Sequence, residues 1–425
     1  LFLFKGIILP YNHMGDNMKR LVGLSVLIIM AMFAIKSNAV PLTKGVIEKL
    51  KSEGRFERVM EAERRIQARG FDNPYVLKGK KAEIRALAAP SVNRVIVILI
   101  NFSDEPYTAG GLAATPEMFD SLLFSDNHKN PTGSMKEYFF ENSYGDFILE
   151  GDIFGWYRAS RMSSYYAGNC DGSGGTDTTT YPNDATRLVE EAVDLADADI
   201  DYSQYDNDGD GYVDAVFVIV AGPSYSASGD PCDMWPHMWY IKPRLRDGVY
   251  VCAYSMETEQ ESTTSSAVSS IGVFCHEYGH ILELPDLYDY DYSSWGTGDW
   301  SLMSFGVYNG NGRRPAQIDA WNKIRLGFIN PTVINSNIEN ISIPAVEWNP
   351  VAYKIPIIGG DPAEYFLVEN RQLTGFDNCL PGEGLLIWHI DERLFDWYDY
   401  ENPDKMNNND WHPLAMIEQA DGKFD

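Results

Sequence analysis

The sequence predicts an α+β fold: a twisted sheet with a central helix, followed by a β-rich unit. Three observations carry this. Residues 94–102 form a continuous apolar run, the pattern of a central strand buried on both faces. Residues 264–284 read as one helix with two histidines four positions apart. Beyond Gly327 the pattern changes to short runs at 341–343, 352–357, 365–369 and 384–389, parted by Gly, Pro and Asn.

At 425 residues the chain exceeds one typical domain, so two or more units are expected. The net charge of −27 argues against nucleic-acid binding, which needs a basic face. It fits a soluble exported protein, and plain solubility is an adequate reading of most of the charge.

The chain opens at Leu1. Met18 is followed by Lys19–Arg20, an apolar run over 21–35, then Ser37–Asn38–Ala39. A basic region, an apolar region and a small-residue cleavage site make a signal peptide. Residues 18–39 are therefore expected to be cleaved on export, with 1–17 as upstream read-through. The apolar run is shorter than the ~20 residues a membrane span needs, so no stable span is expected after cleavage. Residues 40–90 are charged and helix-prone, with amphipathic helices over 42–70. They are expected to be a propeptide that shields the site. Within them Phe71–Asp72–Asn73 offers a blocking carboxylate, although an ordinary turn is the commoner reading.

The catalytic unit is expected at 91–330. After the strand at 94–102, Ser134 begins a helix, Ser143–Tyr144–Gly145 turns the chain, and a strand follows near Ile148. Residues 185–196 form an amphipathic helix with Leu188, Val189, Ala192 and Leu195 on one face. Asp206, Asp208, Asp210 and Asp214 then alternate around Gly209 and Gly211. Such carboxylates with a turn glycine suit calcium, in a structural role. Phe217 stands where an EF-hand needs its bidentate Glu, so the loop leads into a strand over 213–220 instead. An acidic turn without an ion is the alternative. Trp235–Pro236–His237–Met238–Trp239 reads as core packing. Residues 249–256 alternate and suit an edge strand to which a substrate peptide adds.

The chemistry centres on His276–Glu277–Tyr278–Gly279–His280. Residues four apart share a helix face, so His276 and His280 can grip one zinc ion. Glu277 points slightly around the helix toward a water on that ion, as a general base requires. A third ligand is needed. Pro285 ends the helix, and a turn there brings Asp286 under the metal. Glu283 is the rival, but on a continuing helix it lies roughly 7 Å further along the axis. Past Trp300–Ser301–Leu302, Met303 reads either as ordinary core packing or as the methionine turn that floors the zinc site in metzincins. Residues from Pro315 then open a helix that ends near Gly327.

These motifs, with Leu284–Pro285–Asp286–Leu287–Tyr288–Asp289, resemble the immune inhibitor A family of secreted bacterial metallopeptidases. The resemblance runs from about Arg94 to the end of the chain. It implies a metzincin-like zincin catalytic domain, one catalytic zinc on His276, His280 and Asp286, and Met303 as the methionine turn. Two departures stand out. Glu283 replaces the family's turn glycine, at a cost of about 1 kcal/mol or more if φ is positive. Phe305 stands where several metzincins carry an oxyanion-supporting Tyr, leaving Tyr308 or His237 for that role.

Of five cysteines, Cys275 is expected to be a buried free thiol facing away from the metal, while Cys232 and Cys252 could pair. Residues 331–425 are the β-rich unit, expected to be cut short at Asp425. Within it, His389 and His412 could be ligands, but structural histidines are commoner. Asp391, Asn408 and Asp421 form a weaker ion candidate.

The leading expectation is a secreted zinc endopeptidase acting on protein or peptide substrates, with Glu277 as general base. The alternative is a catalytically degenerate surface binding protein or adhesin. A calcium-stabilised repeat protein is excluded by one calcium loop and no period.

Overall fold

The computed structural model describes residues 38–60, 91–104, 114–126, 132–167, 184–261, 268–395, 407 and 412–420. The predicted signal segment up to Ser37, Phe71–Asp72–Asn73, Cys170, Asn408 and Asp421 lie outside the described residues. The architecture is a mixture of sheet and helix.

Strand β1 (Asn38–Ala39) joins β2 (Ser91–Asn101), β3 (Phe147–Arg158), β4 (Val216–Pro223), β5 (His237–Arg246) and β6 (Val249–Gln260) in one sheet of order β1-β5-β6-β4-β2-β3. The apolar run lies in β2 and is buried on both faces, as its composition requires. Val95, Val97 and Leu99 enter one core, and Ile96, Ile98 and Ile100 enter the other. β4 does the same with Phe217 and Ile219 against Val216, Val218 and Val220. It begins later than the 213–220 reading, because the Val213 N–H donates to the Tyr250 carbonyl and the Asp214 N–H to the Tyr205 carbonyl.

Strands β3, β2, β4 and β6 run parallel, while β5 is antiparallel to β6 and β1 is antiparallel to β5. The expected edge strand at 249–256 is thus corrected. β6 is interior, and β5 presents the outer edge that β1 joins. Alternation reports which face of a strand is buried, not which edge is paired.

Helices α1 (Lys44–Ser52), α2 (Pro116–Phe124), α3 (Met135–Asn142), α4 (Ala185–Ala196), α5 (Ile271–Ile281) and α6 (Ala320–Arg325) pack around the strands. α4 starts where Asp184 caps the Arg187 N–H at 3.0 Å. It buries Leu188, Val189, Ala192 and Val193, whereas Leu195 is 40 % exposed. α5 lies on the opposite face and buries Ile271, Phe274, Cys275 and Tyr278. It is shorter than the 264–284 reading. The Ser269 N–H is tied to the Glu259 carbonyl (2.8 Å) and the Ser270 N–H to the Glu261 carboxylate (3.0 Å), so the helix starts after them.

A second sheet, β11-β10-β9-β8-β7, comprises β7 (Thr332–Val333), β8 (Tyr353–Pro356), β9 (Glu364–Arg371), β10 (Gly384–Asp391) and β11 (Ala415–Ile417). The strand expected at 341–343 does not form: Ile341 is exposed, and β7 takes the edge. Leu367, Leu386, Trp388 and Ile390 join the same core as Phe274 and Tyr278 of α5. The sheet therefore braces the helix carrying the histidines. Buried Arg371 links the two, with both Asp377 oxygens at 2.7 Å and the Trp300 carbonyl at 3.3 Å.

Cys232 is disulfide-bonded, and Cys252 is a buried free thiol, so these two do not pair with each other. Cys275 is a free thiol in the core, its pKa pushed well up by burial. Among the described residues, no helix is long and apolar enough to cross a membrane.

Candidate active site

α5 brings both imidazoles to one side, with His276 Nε2 and His280 Nε2 3.2 Å apart. Asp286 Oδ1 completes the cluster at 3.2 Å from each. All three side chains are buried. His276 Nδ1 lies 2.9 Å from the Leu302 carbonyl and His280 Nδ1 2.8 Å from the Leu284 carbonyl. A carbonyl only accepts, so each Nδ1 carries the proton and each Nε2 presents a lone pair. Burial also holds the His276 pKa below its ordinary value, favouring the neutral ring. Three acceptor atoms thus converge with no proton between them, and Asp286 Oδ1 has no hydrogen-bond partner. That arrangement is repulsive unless a cation sits among them. A tetrahedral zinc ion with bonds of about 2.0–2.1 Å has ligand edges of about 3.3 Å, so these residues fit such an ion.

The turn that delivers Asp286 is a Schellman motif. The Leu284 N–H donates to the Gly279 carbonyl and the Glu283 N–H to the His280 carbonyl, each at 2.9 Å. Glu283 sits at the left-handed position with φ +62. The geometry thus keeps a shape natural to glycine and strains a glutamate into it. Glu283 itself stays outside the cluster of His276, His280 and Asp286. Glu283→Gly is expected to stabilise the fold by roughly 0.5–1 kcal/mol, the strain relieved less the added freedom of the unfolded chain. Urea unfolding measures this, and a lower midpoint would contradict it.

Met303 packs beneath the motif. A Cβ on Gly279 would fall 2.7 Å from Met303 Sδ, so the glycine permits the approach. The Met303 carbonyl accepts from the Leu287 N–H at 2.7 Å. Leu302 and Met303 therefore hold both His276 and the residue after Asp286. These contacts escape a sequence reading, although a glycine inside a helix, unfavourable by ~1 kcal/mol, hints at close packing. The Tyr290 hydroxyl, also unread, donates to Asp286 Oδ2 at 2.9 Å and orients the carboxylate. Tyr290→Phe is expected to weaken zinc affinity about 10–100-fold, as loss of an outer partner does. Competition with a fluorescent chelator would measure it; unchanged affinity would remove Tyr290 from this role.

Glu277 is wholly buried, and the backbone N–H groups of Val40 and Met238 approach its carboxylate. Burial first, then the neighbouring Glu257 and Asp286, push its pKa well above the usual range. A carboxyl so placed can take up a proton and give it back. Of the two candidate oxyanion residues, Tyr308 donates its hydroxyl to the Pro41 carbonyl and feels the charge of Glu277. His237 does not. Its Nδ1 lies 2.7 Å from the Trp235 carbonyl and its Nε2 2.9 Å from the Tyr254 hydroxyl, so the ring is committed to the core.

Residues 38–60 pack on the edge of β5 and on the loop that follows Asp286. Asn38 and Ala39 pair with Met238 and His237 at the edge of β5. Tyr288 donates to the Ala39 carbonyl (2.7 Å), Trp235 Nε1 to the Val40 carbonyl (2.9 Å), and the Leu42 N–H to the Tyr292 hydroxyl (2.9 Å). Val40, Leu42, Val46, Ile47 and Leu50 pack on Tyr288, Tyr290, Tyr292 and Phe305.

In the acidic loop, Asp206, Asp208 and Asp210 come within ligand range of one another. Gly209 (φ +75) and Gly211 (φ +91) make the turn. Asp214 lies outside that cluster and accepts from Asn207 N at 2.7 Å and Nδ2 at 3.0 Å. Burial, with Asp208 and Asp206 nearby, raises its pKa to about 6. His412 and Asp391 meet at 2.8 Å, and His389 and Glu364 at 3.2 Å. Arg393 bridges Asp391 and Glu364 at 2.6 Å each, so these carboxylates already hold a cation.

The family model for the immune inhibitor A peptidase M6 catalytic domain matches residues 83–327. The pre-pro-metalloprotease PrtV of Vibrio cholerae is 30% identical over 290 residues, covering 57% of this chain and 31% of that protein. Immune inhibitor A of Bacillus thuringiensis subsp. alesti is 27% identical over 276 residues, covering 54% and 39%. The chain thus spans about a third of the length of these curated relatives. The family match covers more than half of the chain and contains His276, Glu277, His280, Asp286 and Met303: the chain belongs to the immune inhibitor A peptidase M6 family.

Proposed function

We propose that this chain is a secreted zinc-dependent endopeptidase with a metzincin-like catalytic domain and a following β-rich domain. The observation that carries the reading is the meeting of His276 Nε2, His280 Nε2 and Asp286 Oδ1 at 3.2 Å beside Glu277. These three residues would hold the ion. When bound, zinc supplies a water acidified toward pKa ~7 and a Lewis acid for the scissile carbonyl. Glu277 takes the proton of the attacking water and passes it to the leaving amine. Tyr308 donates to the carbonyl oxygen of the substrate, a role supported by its bond to the Pro41 carbonyl. Met303 keeps the floor apolar.

Residues 40–90 act as a propeptide, supported by the packing of 38–60 on the edge of β5 and on the loop that follows Asp286. Export by the 18–39 signal peptide delivers the protein outside the cell. Asp206, Asp208 and Asp210 hold a structural calcium, with Asp214 bracing the loop through Asn207. The expected result is that a chelator abolishes casein hydrolysis by the matured protein and zinc restores it. Hydrolysis indifferent to chelation would overturn the reading.

A further inference from the structure

We propose that a cavity beside the motif is the specificity pocket for a lysine or arginine side chain of the substrate, with Glu257 as its acidic base. This rests on the peptidase reading above. The cavity holds about 500 Å³. One wall is Val273 and Phe274, in the helical turn just before His276; the facing wall is Phe305 and Tyr308. It therefore adjoins the reacting centre. Glu257, Glu261 and Asp299 supply its charge.

Glu257 is the unusual member. It is 1 % exposed and lines the cavity, and its Oε2 has no hydrogen-bond partner. Its other oxygen accepts from Ser255. Glu261 is better served, by the Ser270 N–H at 3.0 Å and by Arg313 nearby. An unpartnered carboxyl deep in a cavity is costly unless something completes it. Burial drives Glu257 toward its neutral form. A cationic side chain within reach would restore its charge and form a charge-assisted hydrogen bond.

The 38–60 segment already shows the match. Among the described residues that line the cavity, Lys44 is the one cation, and it reaches Asp299 at 3.0 Å. Its ammonium stands 5.2 Å from the Trp295 ring centre and 5.6 Å from that of Phe305. Carboxylates with aromatic faces are a cation environment. The chain that runs along β5 over Glu277 thus places its own lysine at the cavity mouth. Departure of that segment would leave the pocket open to a basic side chain of substrate.

The test is a peptide-library digest by the zinc-loaded chain, processed to remove residues before Ser91. Lys and Arg should be enriched at one position flanking the cleaved bond. Glu257→Gln should lower the ratio of kcat/KM for a Lys peptide over its Leu counterpart by about tenfold or more. Cleavage without basic enrichment, or an unchanged ratio in a folded Glu257→Gln protein, overturns the proposal. If that variant does not fold, Asp299→Asn decides, with an expected drop in the ratio of about threefold. No cleavage of any peptide, with or without zinc, would instead overturn the peptidase reading and this inference with it.

Discussion

Glu277→Ala is expected to lower casein hydrolysis by about 10²–10⁴-fold, the range of a lost general base, while the protein keeps its metal. His276 and Glu277 are sequence neighbours on α5 and so point in different directions. The carboxylate is no part of the His276, His280 and Asp286 cluster. Its removal should leave zinc content unchanged. The fold should suffer little, because only the Val40 and Met238 N–H groups approach the buried carboxyl, whose own desolvation cost goes with it. The combination of lost turnover, retained zinc and a nearly unchanged melting temperature separates a chemical role from a structural one. Full activity in Glu277→Ala would sink the mechanism.

Asp286→Ala is the second large effect. Two neutral imidazoles would remain with no anionic ligand, so zinc affinity should fall more than the about 10–100-fold typical of losing an outer partner. At zinc one hundred times Kd, binding stabilises the parent protein by about 2.7 kcal/mol. That zinc-dependent gain should vanish in Asp286→Ala and persist in Glu283→Ala. Equal zinc affinity in the parent and Asp286→Ala proteins would remove Asp286 from the site. The reverse pattern, with affinity lost only in Glu283→Ala, would restore the rival ligand that the left-handed turn puts aside.

Much of the arrangement was legible in short patterns. The four-residue spacing of His276 and His280 sets them on one helix face, and their Nε2 atoms meet at 3.2 Å. The unbroken apolar run of β2 demands burial on both faces and receives it. Legibility fails where the partner is remote. The alternation at 249–256 suits an edge, yet β6 lies inside the sheet with β5 and then β1 beyond it, because strand order follows from the packing of the whole chain. His237 looked available, but Trp235 and Tyr254 claim both its nitrogens. Asp214 reads as a loop ligand; its Oδ2 accepts from Asn207, and it stands apart from the Asp206, Asp208 and Asp210 cluster.

Helix and strand period alone place the histidine pair, the adjacent glutamate, the buried strands and the acidic turn. Those relations are local, fixed by backbone geometry over a few residues. Long-range packing, by contrast, holds Glu283 at positive φ and so sends Asp286 to the histidines. The same packing sets Tyr290 on Asp286, the Leu302 carbonyl on His276, and residues 38–60 against Tyr288, Tyr290 and Tyr292. Such contacts depend on where distant segments come to rest, and that is set by burial of one shared core, which no local pattern contains.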